Sequence, residues 1–399
     1  MNEYEYGFTG DTPFLMHNGT ISQIKNIKNN DTLMALNGKP MQVTYIIKKT
    51  VKTYYIYPIK GTPYTVSENH ILLLKVSCGG SIKWAKYDNA YSVVWLEKFS
   101  LISKSFSVGT YKTKINAYEE AQKYFNNNIV GNKKYRQYGD IVEISVGIYV
   151  TLSKTLQNHF KGFTMGIDFK SSYIDIDPYA LGYWLGDGHS WGTGITTTEP
   201  EIVEYFKNFA GEHGLMLKRQ PNSKYDYDIT SGKNFVGNNP FLTFLKKNNL
   251  IKNKHIPDQY KFNSRENRLE LLAGLIDSDG HYANGYYDFI FKSEKLADDV
   301  IFLARSLGYN CYKSICQKTC TNSSRGRITG TYYRFSICGE GLKKIPSILD
   351  RKMARKRAQK KNASVTGLNI FYMGKQQCYE LKTNLNGPLL LDDLTLVHK

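Results

Sequence analysis

The chain is short of acids, has no paired cysteines and no long apolar run, and does not begin like a secreted protein. Asp and Glu total 35 against 53 Lys and Arg in 399 residues, a formal charge of +18 with a sequence pI near 9.3. That balance favours a polyanionic partner, nucleic acid first. The six cysteines, Cys78, Cys311, Cys316, Cys320, Cys338 and Cys378, form no CxxC pair and no evenly spaced framework. A disulfide scaffold is therefore disfavoured and a reducing compartment fits. Cys311, Cys316 and Cys320 lack a paired His or Cys at zinc spacing. No stretch reaches the roughly 18 apolar residues of a membrane span, and Met1-Asn2-Glu3-Tyr4-Glu5 lacks a signal-peptide pattern. The expectation is an intracellular protein, cytoplasmic or nuclear, neither secreted nor in a membrane.

What is abundant is tyrosine, 31 in all, interleaved with charge in Lys224-Tyr225-Asp226-Tyr227 and Tyr332-Tyr333-Arg334. Tyr packs well in strands, so this alone is ambiguous; beside so much positive charge it suggests strands that touch bases and phosphates. The first eighty residues alternate strand-like runs, Met41–Ile47 and Thr53–Tyr57, with the turn pairs Asn18-Gly19 and Asn37-Gly38. They read as an all-β unit. A Lys-, Asn- and Tyr-rich stretch at about 109–137, helical over Ala117–Phe125, interrupts it before strand character returns at Asp140–Val146. Short strands reappear at Asn369–Tyr372, Gln377–Lys382 and Leu394–His398 and complete that unit.

Between them the chain repeats itself. An apolar helix ending at Asp187, a helix from Glu199, then His213-Gly214-Leu215 and a strand are matched by an apolar helix ending at Asp279, a helix from Glu294, then Leu307-Gly308-Tyr309 and a strand. The acid-to-glycine offsets are 214 − 187 = 27 and 308 − 279 = 29. Two copies of one αββαββ unit, about 177–260 and 268–360, related by a pseudo-twofold axis, account for this.

The paired helices read Ala180-Leu181-Gly182-Tyr183-Trp184-Leu185-Gly186-Asp187-Gly188 and Leu272-Ala273-Gly274-Leu275-Ile276-Asp277-Ser278-Asp279-Gly280. Small residues four apart, Gly182 with Gly186 and Gly274 with Ser278, permit close helix approach. Each helix ends in Asp-Gly, where glycine allows a left-handed exit. A carboxylate at the negative end of a helix dipole calls for a nearby cation. Two such ends brought together would make a site for hard metal ions facing phosphates.

These residues resemble the LAGLIDADG homing endonucleases; the second copy, LAGLIDSDG, departs from the name at one position, and the first has Leu185-Gly186 in place of Asp-Ala. The resemblance implies an α+β domain over 171–365 that acts as a monomer with internal symmetry. It implies that Asp187 and Asp279 bind the metal, usually Mg²⁺, and that double-stranded DNA is cut at a specific site. The strands Tyr225–Thr230, Tyr287–Lys292 and Tyr332–Cys338 would supply the DNA-reading sheet. Many members also place a lysine near each centre, matched by Lys254 (254 − 187 = 67) and Lys352 (352 − 279 = 73). The plainer alternative for both is phosphate contact or solvation, and the run Lys352–Lys361 suits a phosphate-contacting helix.

The β unit, 1–170 and 366–399, resembles the horseshoe-shaped splicing (Hint) domain of inteins through Phe8-Thr9-Gly10-Asp11-Thr12, Ser67-Glu68-Asn69-His70 and Leu394-Thr395-Leu396-Val397-His398. Family members open on Cys or Ser and end on Asn; here Gly7 and Lys399 stand at those places, and Gly387 replaces a frequent histidine. Splicing by the usual route then lacks its nucleophile. Ser67, His70 and His398 remain, and a hydrogen-bonded relic is the plain reading of the histidines. The expectation is an intein-derived homing endonuclease. The rivals are an intein that still splices or cleaves protein, and an RNA maturase or non-cutting binder on the same fold.

Overall fold

The computed structural model describes residues 7–232, 239–320, 328–355 and 362–398; Lys399 and most of the run Lys352–Lys361 lie outside them. The β unit is organised by two long strands, β1 (Pro40–Pro58) and β2 (Leu368–Thr383), paired antiparallel from Leu368↔Pro58 to Thr383↔Val43. The separate runs read in each sequence segment are thus single strands, and the break in β2 at Tyr372/Lys375 is a register shift, not a strand end. Met41, Val43, Val51 and Thr53 are buried on one face while Lys48 and Lys52 face outward; beyond Thr53 the buried face switches, so that Ile56 and Pro58 are buried and Tyr57 is exposed. Phe8–Thr9 and Tyr64–Ser67 extend this sheet, and Ile71–Val76 pairs with Ile141–Ser145 and Phe160–Phe163 in another. Phe8, Phe14, Ile56, Val66, Leu74 and Phe160 are among the residues of the core enclosed there.

The basic insertion is larger than the sequence suggested. It includes a three-stranded meander, Ser81–Ala85, Ala90–Glu97 and Ser100–Ser107, against which a helix, Lys114–Asn128, packs. Val93, Trp95, Phe106, Ala121 and Ile129 form its own small core. Lys104 lies 4.0 Å over the Tyr124 ring and Lys114 4.1 Å over Trp84, so part of its charge is held against aromatic faces.

The α+β domain holds the two motif helices, α1 (Pro178–Asp187) and α2 (Arg265–Asp279), in a shared core that runs from Ile176 to Leu349. Asp177 caps α1 by accepting from Ala180 N at 2.9 Å, with Pro178 in the first turn, and Ser264 caps α2. The second repeat has four strands in the spatial order His281–Ala283, Tyr286–Phe291, Ile328–Cys338, Asn310–Cys320. Among the described residues the first has three short ones, Ile195–Thr196, Asp226–Thr230 and Met216–Arg219, with the bridge Gly188↔Ile195 where the second repeat has its first strand. Residues 165–169 pin the two units together: Ile167 N donates to Ser306 O at 2.9 Å, and buried Arg268 donates to Ile167 O at 2.8 Å. No helix among the described residues is long and apolar enough to cross a membrane.

Candidate active site

The two motif helices touch at their glycines. A Cβ on Gly182 would sit 2.1 Å from Leu271 O, one on Gly274 2.2 Å from Tyr179 O, and one on Gly186 2.0 Å from Ser278 Oγ. Only hydrogen fits at these points, so the small-residue spacing sets the separation of the helices. Because the helices cross there, both end at one place, and the Gly186 position lies 3.2 Å from Asp279 Oδ2.

The helix exits differ from expectation. Gly188 (φ −78°, ψ 152°) and Gly280 (φ −74°, ψ 136°) leave in extended conformation, not left-handed, because the chain passes directly into strand pairing at the Gly188↔Ile195 bridge and at His281. Glycine is needed for closeness instead: a Cβ on Gly188 would lie 2.3 Å from Trp184 O, and one on Gly280 2.8 Å from Ile276 O. The last carbonyls are satisfied by lysines. Lys254 Nζ donates to Gly186 O at 2.9 Å and Gly188 O at 2.7 Å. Lys352 Nζ donates to the carbonyls of Ile276, Asp277 and Ser278 at 2.9, 2.8 and 2.8 Å. Each lysine therefore supplies the cation that a carboxylate at a helix C-terminus requires.

Asp187, Asp279, Lys254 and Lys352 are thus gathered into one electrostatic cluster. Burial, then repulsion from Asp279, pushes the Asp187 carboxyl up to about 6, against the pull of the two lysines. Asp279 reaches solvent at its surface, yet the surrounding protein still raises its pKa. Burial lowers Lys254 to about 8 and lowers Lys352 as well. Neither carboxylate takes a hydrogen bond from another described residue. Two hard oxygen donors with free lone pairs and mutual repulsion fit a divalent cation. An open cleft of about 350 Å³ lies against Asp279 and Lys254, with Lys252 and Lys292 at its rim.

Sequence reasoning missed the support. Asp277, two residues before Asp279 and so on the opposite side of the helix, is buried and accepts from Tyr179 Oη at 2.7 Å, from Ile348 N at 2.7 Å and from Ser347 Oγ. It ties α1, α2 and the segment that carries Lys352 into one block. The Trp184 ring lies 5.1 Å from Lys254 Nζ. The LAGLIDSDG spacing marks Asp277 as an acid inside an apolar helix; its partners are distant in sequence and leave no local signal. Lys352 itself sits in a short 3-10 turn, Asp350–Lys352, and is buried, so it makes no phosphate-contacting helix face.

In the β unit, Ser67 and His70 lie beside Gly7: Ser67 N donates to Gly7 O at 3.0 Å and His70 N to Ser67 O at 3.1 Å. Among the described residues Ser67 Oγ, Thr12 Oγ1 and both ring nitrogens of His70 have no hydrogen-bond partner. Burial, with His398 nearby, lowers His70 to about 3. A Cβ on Gly7 (φ +154°) would meet Tyr379 O at 3.0 Å and Cys378 Cβ at 3.2 Å. Nothing in the sequence pointed to Cys378 as its neighbour.

Residues 7–165 match the family model described as Hom_end-associated Hint. The replicative DNA helicase DnaB of Mycobacterium intracellulare is 32% identical over 207 residues, 52% of this chain and 30% of that protein, so this chain spans under a third of that relative's length. Among solved structures, I-DmoI in complex with DNA and Ca shares 13% identity over 41% of this chain and 82% of its own, with a TM-score of 0.27. The gp41-1 intein shares 14% over 35% of this chain and 89% of its own, with a TM-score of 0.16. Residues 7–165 thus match a Hom_end-associated Hint domain, and beyond them the chain carries an α+β domain built on two glycine-packed helices that each end in Asp-Gly.

Proposed function

We propose that the chain is a monomeric, site-specific endonuclease of the homing type that hydrolyses one phosphodiester in each strand of double-stranded DNA. One observation carries this reading: two mutually repelling carboxylates end matched helices that cross at glycines, two lysines back them, and a cleft lies against Asp279 and Lys254. The α+β domain, 171–365, does the cutting, and its two sheets lie along the DNA. Exposed Lys218, Arg219 and Tyr225 in one repeat and Lys318 and Arg334 in the other are suited to phosphates and base edges. The inserted unit of the β domain adds phosphate contacts.

Asp187 and Asp279 would hold a divalent cation, Mg²⁺ in this reading, which when bound supplies Lewis-acid stabilisation of charge on the phosphate. The chain's own groups do the rest. The carboxylates accept hydrogen bonds from the attacking water and orient it, and the Lys254 ammonium steadies negative charge on the phosphoryl oxygens. The test is a randomised target library incubated with the protein and its Asp279→Asn variant in Mg²⁺. Cutting by the parent and a loss of at least about 100-fold in the variant is expected; equal cutting by both sinks the assignment.

The same reading has splicing lost by the usual route, because Gly7 offers no nucleophile and its tight, positive-φ setting leaves no easy room for one. A second reading, residual protein cleavage by the Hint domain, is favoured by the unpartnered polar groups of Ser67 and His70. Expressing the chain between two reporter domains decides: ligated or released reporters would support it.

A further inference from the structure

Cys78 and His159 meet where two strands of the β unit end. Ile71–Val76 and Phe160–Phe163 pair antiparallel with Phe160 opposite Val76. One step beyond that pair, Ser77 N donates to His159 O at 2.8 Å and Ser77 Oγ to the same oxygen at 3.1 Å. With both backbones fixed in this way, Cys78 Sγ is hydrogen-bonded to His159 Nδ1, the thiol donating when the ring proton is on Nε2. Both residues are half-buried, and there is room beside them: a Cβ added to Gly79 would meet only Tyr138 within 4 Å, at 3.4 and 3.7 Å. Burial, then the ammonium groups of Lys83 and Lys161, lowers the His159 ring, so at neutral pH the imidazole is uncharged and able to take a proton. Burial raises the Cys78 thiol while the same lysines pull it down, so the sulfur keeps its proton until it reacts. A thiol held on a neutral imidazole, with two cations beside it, is a nucleophile supplied with its base. By contrast Cys311 and Cys378 are buried, and Cys316 and Cys338 are half-buried on the paired strands Asn310–Cys320 and Ile328–Cys338.

We propose that Cys78 and His159 form a thiol-exchange site that couples Cys78 to a small disulfide bearing carboxylates, of the glutathione disulfide kind. His159 Nδ1 takes the thiol proton as Cys78 Sγ bonds to one sulfur of that disulfide. The old S–S bond breaks, its electron pair stays on the departing sulfur, and the proton passes from the imidazolium to that sulfur. Cys78 is thereby oxidised to a mixed disulfide, and the departing half of the reagent is reduced to a thiol. Lys83 and Lys161 draw the carboxylates in and favour negative charge on sulfur as the proton leaves. The adduct is held at the root of the inserted unit, since a Cβ on Gly80 would stand 2.7 Å from the Phe125 ring and 2.8 Å from Ile129 Cγ2. The inference stands apart from DNA cleavage.

The experiment treats the reduced full chain with a limiting amount of dithiobis(nitrobenzoate), a disulfide with two carboxylates, and maps the modified cysteines by peptide mass at early times. In the native protein Cys78 is expected to react at least about 10-fold faster than Cys316 or Cys338, and in urea at the same rate as they do. Incubation with glutathione disulfide is expected to add glutathione to Cys78 first. His159→Gln slows Cys78 by at least about 10-fold and leaves Cys316 and Cys338 as they were, which also shows that the variant is folded. Replacing Lys83 and Lys161 together by Gln slows the reaction with dithiobis(nitrobenzoate) more than with uncharged dithiodipyridine; equal slowing with both would overturn the part given to the lysines. Equal native rates for Cys78 and Cys316 overturn the inference and need no variant to be folded. So does a preference for Cys78 that persists in urea, because it would then belong to the local sequence and not to the contact with His159. A His159→Gln chain whose Cys78 reacts as fast as the parent's overturns it as well.

Discussion

At the ends of α1 and α2 two lysine ammonium groups donate to five backbone carbonyls, whereas beside Gly7 the hydroxyls of Thr12 and Ser67 and both nitrogens of His70 are buried without a partner among the described residues. The first centre sets lysines against its two acids and uses their ammonium groups to satisfy the carbonyls at both helix ends. The second carries polar groups that each cost about 1–3 kcal/mol when buried unpaired. The two also titrate in opposite senses. Asp187, raised to about 6, favours folding when protonated, so its contribution is present below about pH 4 and is lost as pH rises through 6. His70, lowered to about 3, favours folding when neutral, so its contribution is present above about pH 6.5 and is lost as pH falls towards 3. The two polar centres thus differ in hydrogen bonding and in the direction of their pH response.

The largest effect is expected from closing the gap that builds the first centre. Gly274→Ala puts a Cβ 2.2 Å from Tyr179 O and 2.6 Å from Tyr183 N, both backbone atoms that cannot turn aside. The helices must separate, at a cost of about 3 kcal/mol or more, and the carboxylates part with them. Gly211→Ala, on a helix where an added Cβ meets nothing within 4 Å, is the control and should stabilise by about 0.5–1 kcal/mol. Equal unfolding midpoints for the two variants in urea would mean that the crossing does not set the site. Next in size, His70→Leu should remove most of the acid-side loss of stability between pH 6.5 and 4, on the order of 2 kcal/mol, while leaving DNA cutting at neutral pH unchanged. An unaltered pH–stability curve would show that His70 is not held neutral in the fold.

How much of this was legible in the sequence follows from the range of the interactions. The DG-ended helices, the repeat, the strand Asp226–Thr230 and the part of Ile328–Cys338 from Tyr332 onward show because periodicity and small-residue spacing are local. The length of β1 did not show, because what keeps its outward-facing middle extended is pairing with β2, more than three hundred residues away. The meander ahead of the helix Lys114–Asn128 was hidden because basic composition marks only where charge rises, and its apolar half looked like more of the β unit. At the site, Asp187 and Asp279 were legible from their motif. The capping role of the lysines was not, since it depends on a chain return of 352 − 278 = 74 residues to Ser278 O. The left-handed exit expected at Gly188 and Gly280 was a fair inference from Asp-Gly alone; strand pairing just beyond overrode it.

The smallest effect bears most directly on why the first centre exists. In metal-free buffer at pH 7.5, Asp187 is half-buried, ionised above its raised pKa of about 6, and opposed by Asp279, with the two lysines only partly offsetting the repulsion. A neutral amide of the same shape removes that strain. Asp187→Asn is therefore expected to raise stability by about 1–2 kcal/mol, discounted for the solvent that still reaches the side chain. The gain should vanish below pH 4, where the parent carboxyl is itself protonated, and the same variant should fail to cut. Adding Mg²⁺ should stabilise the parent and leave the variant largely unmoved, closing the gap between them. A variant less stable than its parent at pH 7.5 would show that Asp187 is a structural acid after all, and the contrast with the pocket beside Gly7 would lose its meaning. A gain in stability bought by loss of cutting would show that the repulsion between the acids is retained for the cation they share.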